Sequence, residues 1–304
     1  MIRTTLFLIA TLSILATAIF SSDIHFTHAQ ESALIQVAWI TFGVAIACFL
    51  LGEITGNNSQ VDKLWSILPI AYVWHFAYYS GMEPRLVLMA ILATIWGIRL
   101  TYNFSRRGGY SLIPWKGEED YRWEVLRAKP EFQGKWRWRL FNLFFICLYQ
   151  NALILLFTLP ILEAWRGQET PMGLADYLVA ALMLGFIAIE TIADQQQYAY
   201  QTEKYRLKTS GQPLGEFYGK GFTHTGLWKW VRHPNYASEQ AIWVTFYLFS
   251  VVATGHWINW SVIGCILLLF LFRGSSNFSE EISANKYPAY KDYQKSTSRF
   301  IPWL

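Results

Sequence analysis

The longest uncharged run of this chain, residues 240–272, most constrains what the chain can fold into. It contains no Asp, Glu, Lys or Arg over 33 residues, whereas one helical crossing of a bilayer needs about 20 residues. Gly255, His256 and Asn259 lie in the middle of the run and favour a turn there. The run therefore predicts a hairpin of two membrane helices.

Six further uncharged runs indicate that most of the chain is built in the same way. They cover residues 6–20, 33–51, 64–80, 86–98, 140–162 and 177–189. The composition agrees, because 53% of the residues are hydrophobic and only 15% are charged, which is too apolar for an ordinary soluble domain. A span must satisfy its own backbone hydrogen bonds, so the spans are predicted to be helices. We expect an all-α, polytopic membrane helical bundle of about eight spans.

The basic residues predict how the bundle is oriented. Of the 25 Lys and Arg residues, 20 lie in the segments 105–139, 195–238 and 273–304. An even number of predicted spans separates each segment from the next, so all three can face the side that the positive-inside rule assigns to the cytoplasm. We predict a multi-pass integral membrane protein, in the inner membrane if the cell is bacterial, with cytoplasmic N- and C-termini. The same rule accounts for the basic loops without a nucleic-acid partner.

The first uncharged run has two interpretations. Residues 6–20 can form a first membrane helix or the apolar part of a cleaved signal peptide, because a basic residue precedes them and a small-residue site follows.

The cysteines lie inside apolar runs and lack metal-ligand spacing, so we expect packing roles and no metal site. They are Cys48, Cys147 and Cys265.

A polar stretch directly before the longest run is the strongest candidate for a functional site. It reads GLWKWVRHPNYASE over residues 226–239 and combines cations, an imidazole, an amide, a phenol and a carboxylate. Such groups are costly to keep at a membrane boundary for packing alone. Pro234 biases the residue before it away from the helix, so we expect a membrane helix to open near Tyr236 or Ala237. The candidate binding residues are Trp228, Arg232, His233, Asn235, Tyr236 and Glu239.

A polar stripe continues out of the run 177–189 at helical spacing. Its members recur every three or four residues and share one helical face. The stripe either lines a cavity, which we favour, or forms a solvated helix end in which the carboxylates pair with a lysine. Its members are Glu190, Asp194, Gln197, Gln201 and Lys204.

Arg99 and Asn103 form a third polar group near the inner end of the run 86–98. Snorkelling of Arg99 to the interface is the simple interpretation, and binding of a phosphate by its planar guanidinium is the functional one. The three groups are predicted to face the cytoplasm together. They favour a large anionic cofactor, because Arg and Lys bind diphosphate, aromatic faces bind adenine, and Asp, Asn or Gln bind ribose hydroxyls.

The chain also resembles a bacterial membrane family that is related to steroid 5α-reductases. The resemblance is carried by LWKWVRHPNYASE, by Asp194-x-x-Gln197, by WGIRL at 96–100, by DKLWSILP at 62–69 and by the closing KYPAYKDYQKSTSRFIPW. It covers residues 62–304. It implies a steroid 5α-reductase-like membrane domain over residues 61–304, preceded by N-terminal membrane helices in residues 1–60.

This resemblance implies an NADPH-dependent oxidoreductase that acts on CH–CH groups. The implied substrate is a lipophilic steroid-, sterol- or isoprenoid-like molecule that enters from the bilayer, whose C=C bond would be reduced. NADPH binding of Rossmann type is not expected, because no GxGxxG occurs. The reductases carry a Tyr three residues before their Arg, and Trp96 stands at that place, which argues against steroids. The resemblance assigns NADPH contacts to Arg99, Asn103, Asp194, Gln201, Arg232, Asn235 and Glu239.

Tyr72 and His75 are the candidate catalytic residues. With Tyr79 they lie at spacings of three and four in the run 64–80, on one helical face. One of them would protonate or polarise a carbonyl conjugated to the reacting C=C bond. For His75 the alternative is an interhelical hydrogen bond.

Two other functions stay open. An S-adenosylmethionine-dependent membrane methyltransferase of the isoprenylcysteine or phospholipid type would use the same corner, with Glu239, Glu280 and Glu281 near the amino and ribose groups. It would depend less on Arg99, because that cofactor has no phosphates. A non-enzymatic transporter or scaffold is the third possibility. Transporters often have polar residues within several spans and an internal repeat. In this chain such polar residues are scarce, and no repeat is visible.

Overall fold

A computed structural model gives the fold of residues 25–111 and 117–303. Within these residues the regular structure is helical, and the extended pairing consists of one isolated parallel bridge between Val231 and Ser298. The α-helices are α1 (His28–Thr55), α2 (Gln60–Leu64), α3 (Leu68–Tyr79), α4 (Pro84–Ser105), α5 (Tyr121–Arg127), α6 (Lys135–Phe141), α7 (Gln150–Thr158), α8 (Pro160–Arg166), α9 (Leu174–Thr209), α10 (Gly215–Gly219), α11 (Pro234–Thr254), α12 (Val262–Lys286) and α13 (Tyr290–Ser296). Short 3₁₀ helices cover Pro130–Phe132 and Gly226–Lys229, and a π-helix covers Asn142–Tyr149.

Five helical segments of the described chain are long and apolar enough to cross a membrane. They are α1, α4, the segment Lys135–Arg166, α9 and α12. This confirms the prediction of an all-α polytopic membrane bundle. The count of about eight spans and the cytoplasmic termini stay predictions, and residues 6–20 lie outside the described residues. Helix α3, counted as a span from the sequence, has twelve residues, a length of about 18 Å.

The turn predicted in the middle of the longest uncharged run is present between two helices, and the crossing of the membrane by both of them stays a prediction. Helix α11 ends at Thr254, and α12 begins at Val262. Gly255 makes the turn with a φ of 72°, in the left-handed region that glycine adopts without strain. The hydroxyl of Tyr247 donates to the carbonyl of Trp257 at 2.9 Å, which fixes the loop against the end of α11.

The chain divides into two compact units. The described residues of the first lie within Met1–Ala180 and Thr245–Leu268, and those of the second lie within Ala181–Val244 and Leu269–Leu304. The boundary that the resemblance implies at residue 60 stays a prediction.

Close helix packing in the first unit depends on a glycine of α12. A Cβ atom added to Gly264 would lie 2.1 Å from the carbonyl oxygen of Leu156 on α7. Small residues at helix interfaces in membranes allow this kind of close backbone approach. In contrast, a Cβ atom on Gly274, further along α12, would meet nothing within 4 Å.

A fully buried ion pair fixes the start of α4 in the first unit. Arg85 Nε lies 2.6 Å from Asp176 Oδ1, and the two side chains are 0% and 1% exposed. Arg85 Nη2 also donates to the carbonyls of Thr170 and Pro171 at 3.1 and 3.3 Å. The backbone N–H of Gly173 donates to Asp176 Oδ2 at 2.9 Å. The pair therefore anchors the loop that precedes α9.

Candidate functional site

The polar stretch before α11 forms a corner in the second unit. Its first turn is the 3₁₀ helix Gly226–Lys229, after which the backbone N–H groups of Arg232 and His233 donate to the carbonyls of Ser298 and Arg299, at 2.8 and 3.1 Å. Helix α11 then begins at Pro234 rather than at Tyr236 or Ala237. The predicted start was late by two to three residues, because proline is itself favoured in the first turn of a helix.

Glu280 of α12 is the acceptor at the centre of this corner. Its Oε1 atom accepts from Arg232 Nε at 2.8 Å and from His233 Nε2 at 2.9 Å. Its Oε2 atom accepts from Gln294 Nε2 at 2.9 Å and from Arg299 Nη2 at 3.1 Å. Glu280 is only 2% exposed, so a buried carboxylate is compensated by charge and by hydrogen bonds, as burial demands.

Arg232 also closes the end of the short helix α13. Its Nη1 group donates to the carbonyl of Gln294 at 3.0 Å and to that of Thr297. Carbonyls at a helix C-terminus lack intrahelical partners, and a cation stabilises them. Arg232 is 8% exposed, and each of these contacts is made within the second unit.

The surroundings of His233 disfavour its charged form. Burial holds the pKa of His233 below its ordinary value of 6.5, and the hydrogen bond to Glu280 opposes the shift without reversing it. An ionised carboxylate only accepts hydrogen bonds, so Nε2 of His233 carries the proton that is donated to Glu280. The ring of Tyr236 stacks on His233 at a centroid distance of 5.3 Å.

Asp194 of α9 and Asn235 of α11 form a second polar group in this unit. Asn235 Nδ2 donates to Asp194 Oδ1 at 3.2 Å. The Oδ1 atom of Asn235 is buried, and no described residue donates a hydrogen bond to it. Glu190 lies one helical turn before Asp194, and Glu239 lies one turn after Asn235, each 4% exposed. Trp243 Nε1 donates to Glu239 at 3.1 Å.

The rest of the stripe on α9 is used to hold the loop before the corner. Gln197 accepts a hydrogen bond from Thr223. Lys204 Nζ donates to the carbonyl of Gly221 at 2.9 Å and lies 5.0 to 5.9 Å from three tyrosine rings. Trp228 Nε1 donates to the carbonyl of Ala193 on α9 at 3.1 Å. Gln201 is half-buried on the same helix.

The other candidate residues belong to the first unit. Arg99 is half-buried near the end of α4. The Oδ1 atom of Asn103, one turn further on, accepts from Arg106 Nε and Nη2 at 3.0 and 2.7 Å. Asn103 therefore orients a neighbouring arginine.

Tyr72 and His75 both face α1, which confirms that they share one face of α3. Tyr72 Oη lies 2.9 Å from Thr41 Oγ1, and His75 Nε2 lies 3.2 Å from the carbonyl oxygen of Ala33. Tyr79 follows on the same face, since its ring lies 4.6 Å from that of His75. The interhelical hydrogen bond considered for His75 is therefore present, and the catalytic role of both residues stays a prediction.

Sequence reasoning missed how central Glu280 is and did not predict its contacts with Gln294 and Arg299. Glu280 was named as one of the tail residues, with Arg299, that continue the polar corner, and again for the methyltransferase alternative. The available signal was its spacing of one turn from Ser276 and its position on a helix that continues an apolar run, where a carboxylate is rarely left unpaired. Among the described residues, no three His, Cys, Asp or Glu side chains converge on a possible metal site.

These features define a multi-pass α-helical membrane protein with a buried carboxylate–guanidinium corner. The chain belongs to the family described as "Protein of unknown function (DUF1295)", whose model matches residues 48–297. It is similar to the uncharacterized protein C594.04c of Schizosaccharomyces pombe, with 38% identity over 274 residues, which is 84% of this chain and 78% of that protein. No solved structure matches the chain.

Proposed function

We propose that the protein is an integral-membrane, NADPH-dependent reductase of a C=C bond in a lipophilic, sterol- or isoprenoid-like substrate. The observation that carries this proposal is the buried Oδ1 atom of Asn235, which accepts no hydrogen bond from the described residues. A buried acceptor without a donor costs roughly 1–3 kcal/mol. A ligand that brings a donor would recover this energy.

The atoms around Asn235 fit a hydroxyl or amide group of a nucleotide cofactor. Asn235 Oδ1 can accept from a ribose hydroxyl or a carboxamide N–H, and the carboxylate of Asp194, 3.2 Å from Asn235 Nδ2, can accept a second hydrogen bond. Both groups are held by helices, since Asp194 is on α9 and Asn235 is in the first turn of α11. Helices hold a binding group in a more precise position than loops do.

The proposed reaction needs a polarised substrate carbonyl as well as a hydride. Bound NADPH would supply the hydride to one carbon of the C=C bond, and a proton would go to the other. Tyr72 is the better proton donor of the two candidates. The Nε2 proton of neutral His75 is engaged by the carbonyl of Ala33, whereas Tyr72 Oη has only the hydroxyl of Thr41 as its partner among the described residues. A hydroxyl can exchange donor and acceptor roles with a neighbouring hydroxyl.

A methyltransferase that uses S-adenosylmethionine is the second candidate, and a different observation favours it. Glu190, Asp194 and Glu239 are three carboxylates buried on α9 and α11 within the second unit, each 4% exposed. An acid-rich site suits the sulfonium and ammonium groups of that cofactor, which has no phosphate. Its binding would therefore depend on Asn235 and on the carboxylates.

Ligand-induced stabilisation of the purified protein in detergent tests both candidates. NADPH, NADH and S-adenosylmethionine are titrated separately while the thermal midpoint is recorded, because a ligand that binds only the folded state raises this midpoint. We expect NADPH to raise it and the Asn235→Ala variant to lose this response. Gln212→Ala is the matched control, since it removes an exposed amide of the same unit.

Three results are decisive. A response to S-adenosylmethionine alone would replace the reductase proposal with the methyltransferase. No response to any of the three would contradict both. If Asn235→Ala and Gln212→Ala lose the thermal response to NADPH equally, Asn235 has no specific part in binding. The proposal would then lose the observation on which it rests.

A further inference from the structure

An open groove in the second unit is lined by four cations from three segments of the sequence. It has a volume of about 490 Å³ and is called the basic groove below. Among the described residues, no Asp or Glu side chain lines it, although residues with hydroxyl and amide groups do. Its lining residues are Arg232, Arg273, Gln294, Lys295, Ser296, Thr297, Ser298, Arg299 and Trp303.

The cations of the basic groove are only partly compensated. Glu280 carries one negative charge and pairs with both Arg232 and Arg299. Lys295 pairs with Asp292 at 3.3 Å, but these side chains are 79% and 82% exposed, so water weakens that attraction. Arg273 is exposed and has no ion pair within the described chain. The groove therefore carries excess positive charge.

Crowding of like charges is visible at Arg299. Burial is the main cause that lowers the pKa of Arg299, and the nearby guanidinium groups of Arg273 and Arg232 lower it further. Arginine nevertheless stays charged at neutral pH. A bound anion would relieve this repulsion, because it would lie close to several cations at once.

Phosphate is the anion whose chemistry fits these walls best. A guanidinium presents a planar fork that donates two parallel hydrogen bonds to phosphate oxygens. Ser296, Thr297 and Ser298 also line the groove, and hydroxyl groups can donate further hydrogen bonds. A monovalent carboxylate would leave more of the positive charge unneutralised.

The rim of the basic groove carries exposed indole rings. Trp303 is 84% exposed and packs edge to face against Trp230, which is 54% exposed, at a centroid distance of 5.9 Å. Indole rings concentrate at the headgroup level of membranes. A soluble phosphate ester can also enter the open groove. The phosphate group can therefore come from a lipid headgroup or from a soluble compound.

We propose that the basic groove is a binding site for a phosphate group, supplied by an anionic lipid headgroup or by a soluble phosphate compound. The proposal does not depend on reductase activity, since it rests on the groove and not on Asn235. The groove variant is Arg273→Gln with Lys295→Gln. Neither residue pairs with Glu280, so the corner keeps its ion pairs. The control variant is Lys208→Gln with Lys291→Gln, which removes two exposed cations of the same unit outside the groove.

The test has a soluble arm and a lipid arm, both on the full chain. In the first, inorganic pyrophosphate is titrated into detergent-purified protein by calorimetry. In the second, the protein is placed in nanodiscs of phosphatidylcholine with or without phosphatidylglycerol, and the retained lipid is identified by native mass spectrometry. We expect the groove variant to weaken binding about tenfold or more in the responding arm, through loss of two charged donors. The control variant should bind like the wild type.

The outcomes separate the sources. Pyrophosphate binding that the groove variant weakens identifies a soluble phosphate compound, and selective retention of phosphatidylglycerol identifies a lipid headgroup. A charge-retaining variant, Arg273→Lys with Lys295→Arg, should keep most of the binding. The proposal is overturned if neither arm responds, or if the control variant loses as much binding as the groove variant.

Discussion

Arg232 and Glu280 form a buried ion pair, with Nε and Oε1 2.8 Å apart and side chains that are 9% and 3% exposed. Removal of one partner of such a pair leaves an uncompensated charge in a poorly solvated place. The same carboxylate also accepts from His233, Gln294 and Arg299. The pair is therefore the point at which the corner, α12 and α13 are joined.

Glu280→Ala is expected to be among the most destabilising substitutions in the second unit. We expect the free energy of unfolding to fall by about 3–5 kcal/mol, because Arg232 stays buried without its counter-charge. Thermal unfolding in detergent measures the effect, and Glu280→Gln should lie between the wild type and Glu280→Ala. Asp292→Ala, which removes an exposed carboxylate, should have no measurable effect. Equal midpoints for these two alanine variants would contradict the arrangement.

The stability of the corner should fall in acid because of His233. Its folded pKa is below the ordinary 6.5, so the unfolded chain binds more protons between these two values. The contribution is fully present above about pH 6.5 and declines as the pH falls through the lowered pKa. Thermal midpoints recorded from neutral to acidic pH test this. In His233→Gln, which keeps a neutral donor for Glu280, the decline over this window should be smaller, and an unchanged profile would refute the assignment.

The ion pair of Arg85 and Asp176 should show strong coupling in a double-mutant cycle. Each single alanine substitution is expected to cost about 3–5 kcal/mol, whereas the double substitution should cost less than the sum, because no unpaired charge is left. The matched cycle uses Arg206 and Glu203, an ion pair at 2.7 Å whose side chains are 57% and 37% exposed. That pair should show no measurable coupling. Additive effects at Arg85 and Asp176 would argue against their contact.

Two glycines of α12 should respond in opposite ways to alanine. Gly264→Ala is expected to destabilise the protein by about 1–3 kcal/mol or more, since the new Cβ atom would overlap the backbone of Leu156. Gly274→Ala, in the same helix, meets open space and should be neutral or slightly stabilising, because alanine is the better helix former. The two thermal midpoints are compared with that of the wild type. Indistinguishable variants would mean that α7 and α12 do not pack this closely.

The helices could be predicted from the sequence because their causes are local. The uncharged run 240–272 exceeds one bilayer crossing, and Gly255 supplies a residue that accepts a positive φ, so the hairpin followed from length and turn chemistry. The stripe from Glu190 to Lys204 continued at helical spacing, and it lies on one helix, α9. Local errors were small, as at Pro234, where the helix starts two to three residues before the prediction.

The partners of the polar side chains could not be predicted, because they come from distant parts of the chain. Arg232 and Glu280 are 48 residues apart, and Asp194 and Asn235 are 41 apart. Spacing rules describe neighbours on one helix and contain no information on which helices meet. The sequence therefore marked Arg232 and His233 as ligand-binding candidates, and their contacts with Glu280 became visible only in three dimensions.

The hydrogen bonds from Arg232 to the carbonyls of Gln294 and Thr297 have a consequence for biosynthesis. Gln294 is 62 residues further along the chain, so the ribosome makes α11, α12 and most of α13 before this guanidinium can reach its acceptors. Until then the arginine must stay hydrated or pair elsewhere, since burial without a partner is costly. Closure of the corner therefore cannot precede the synthesis of α12 and of the acceptor residues Gln294 and Thr297.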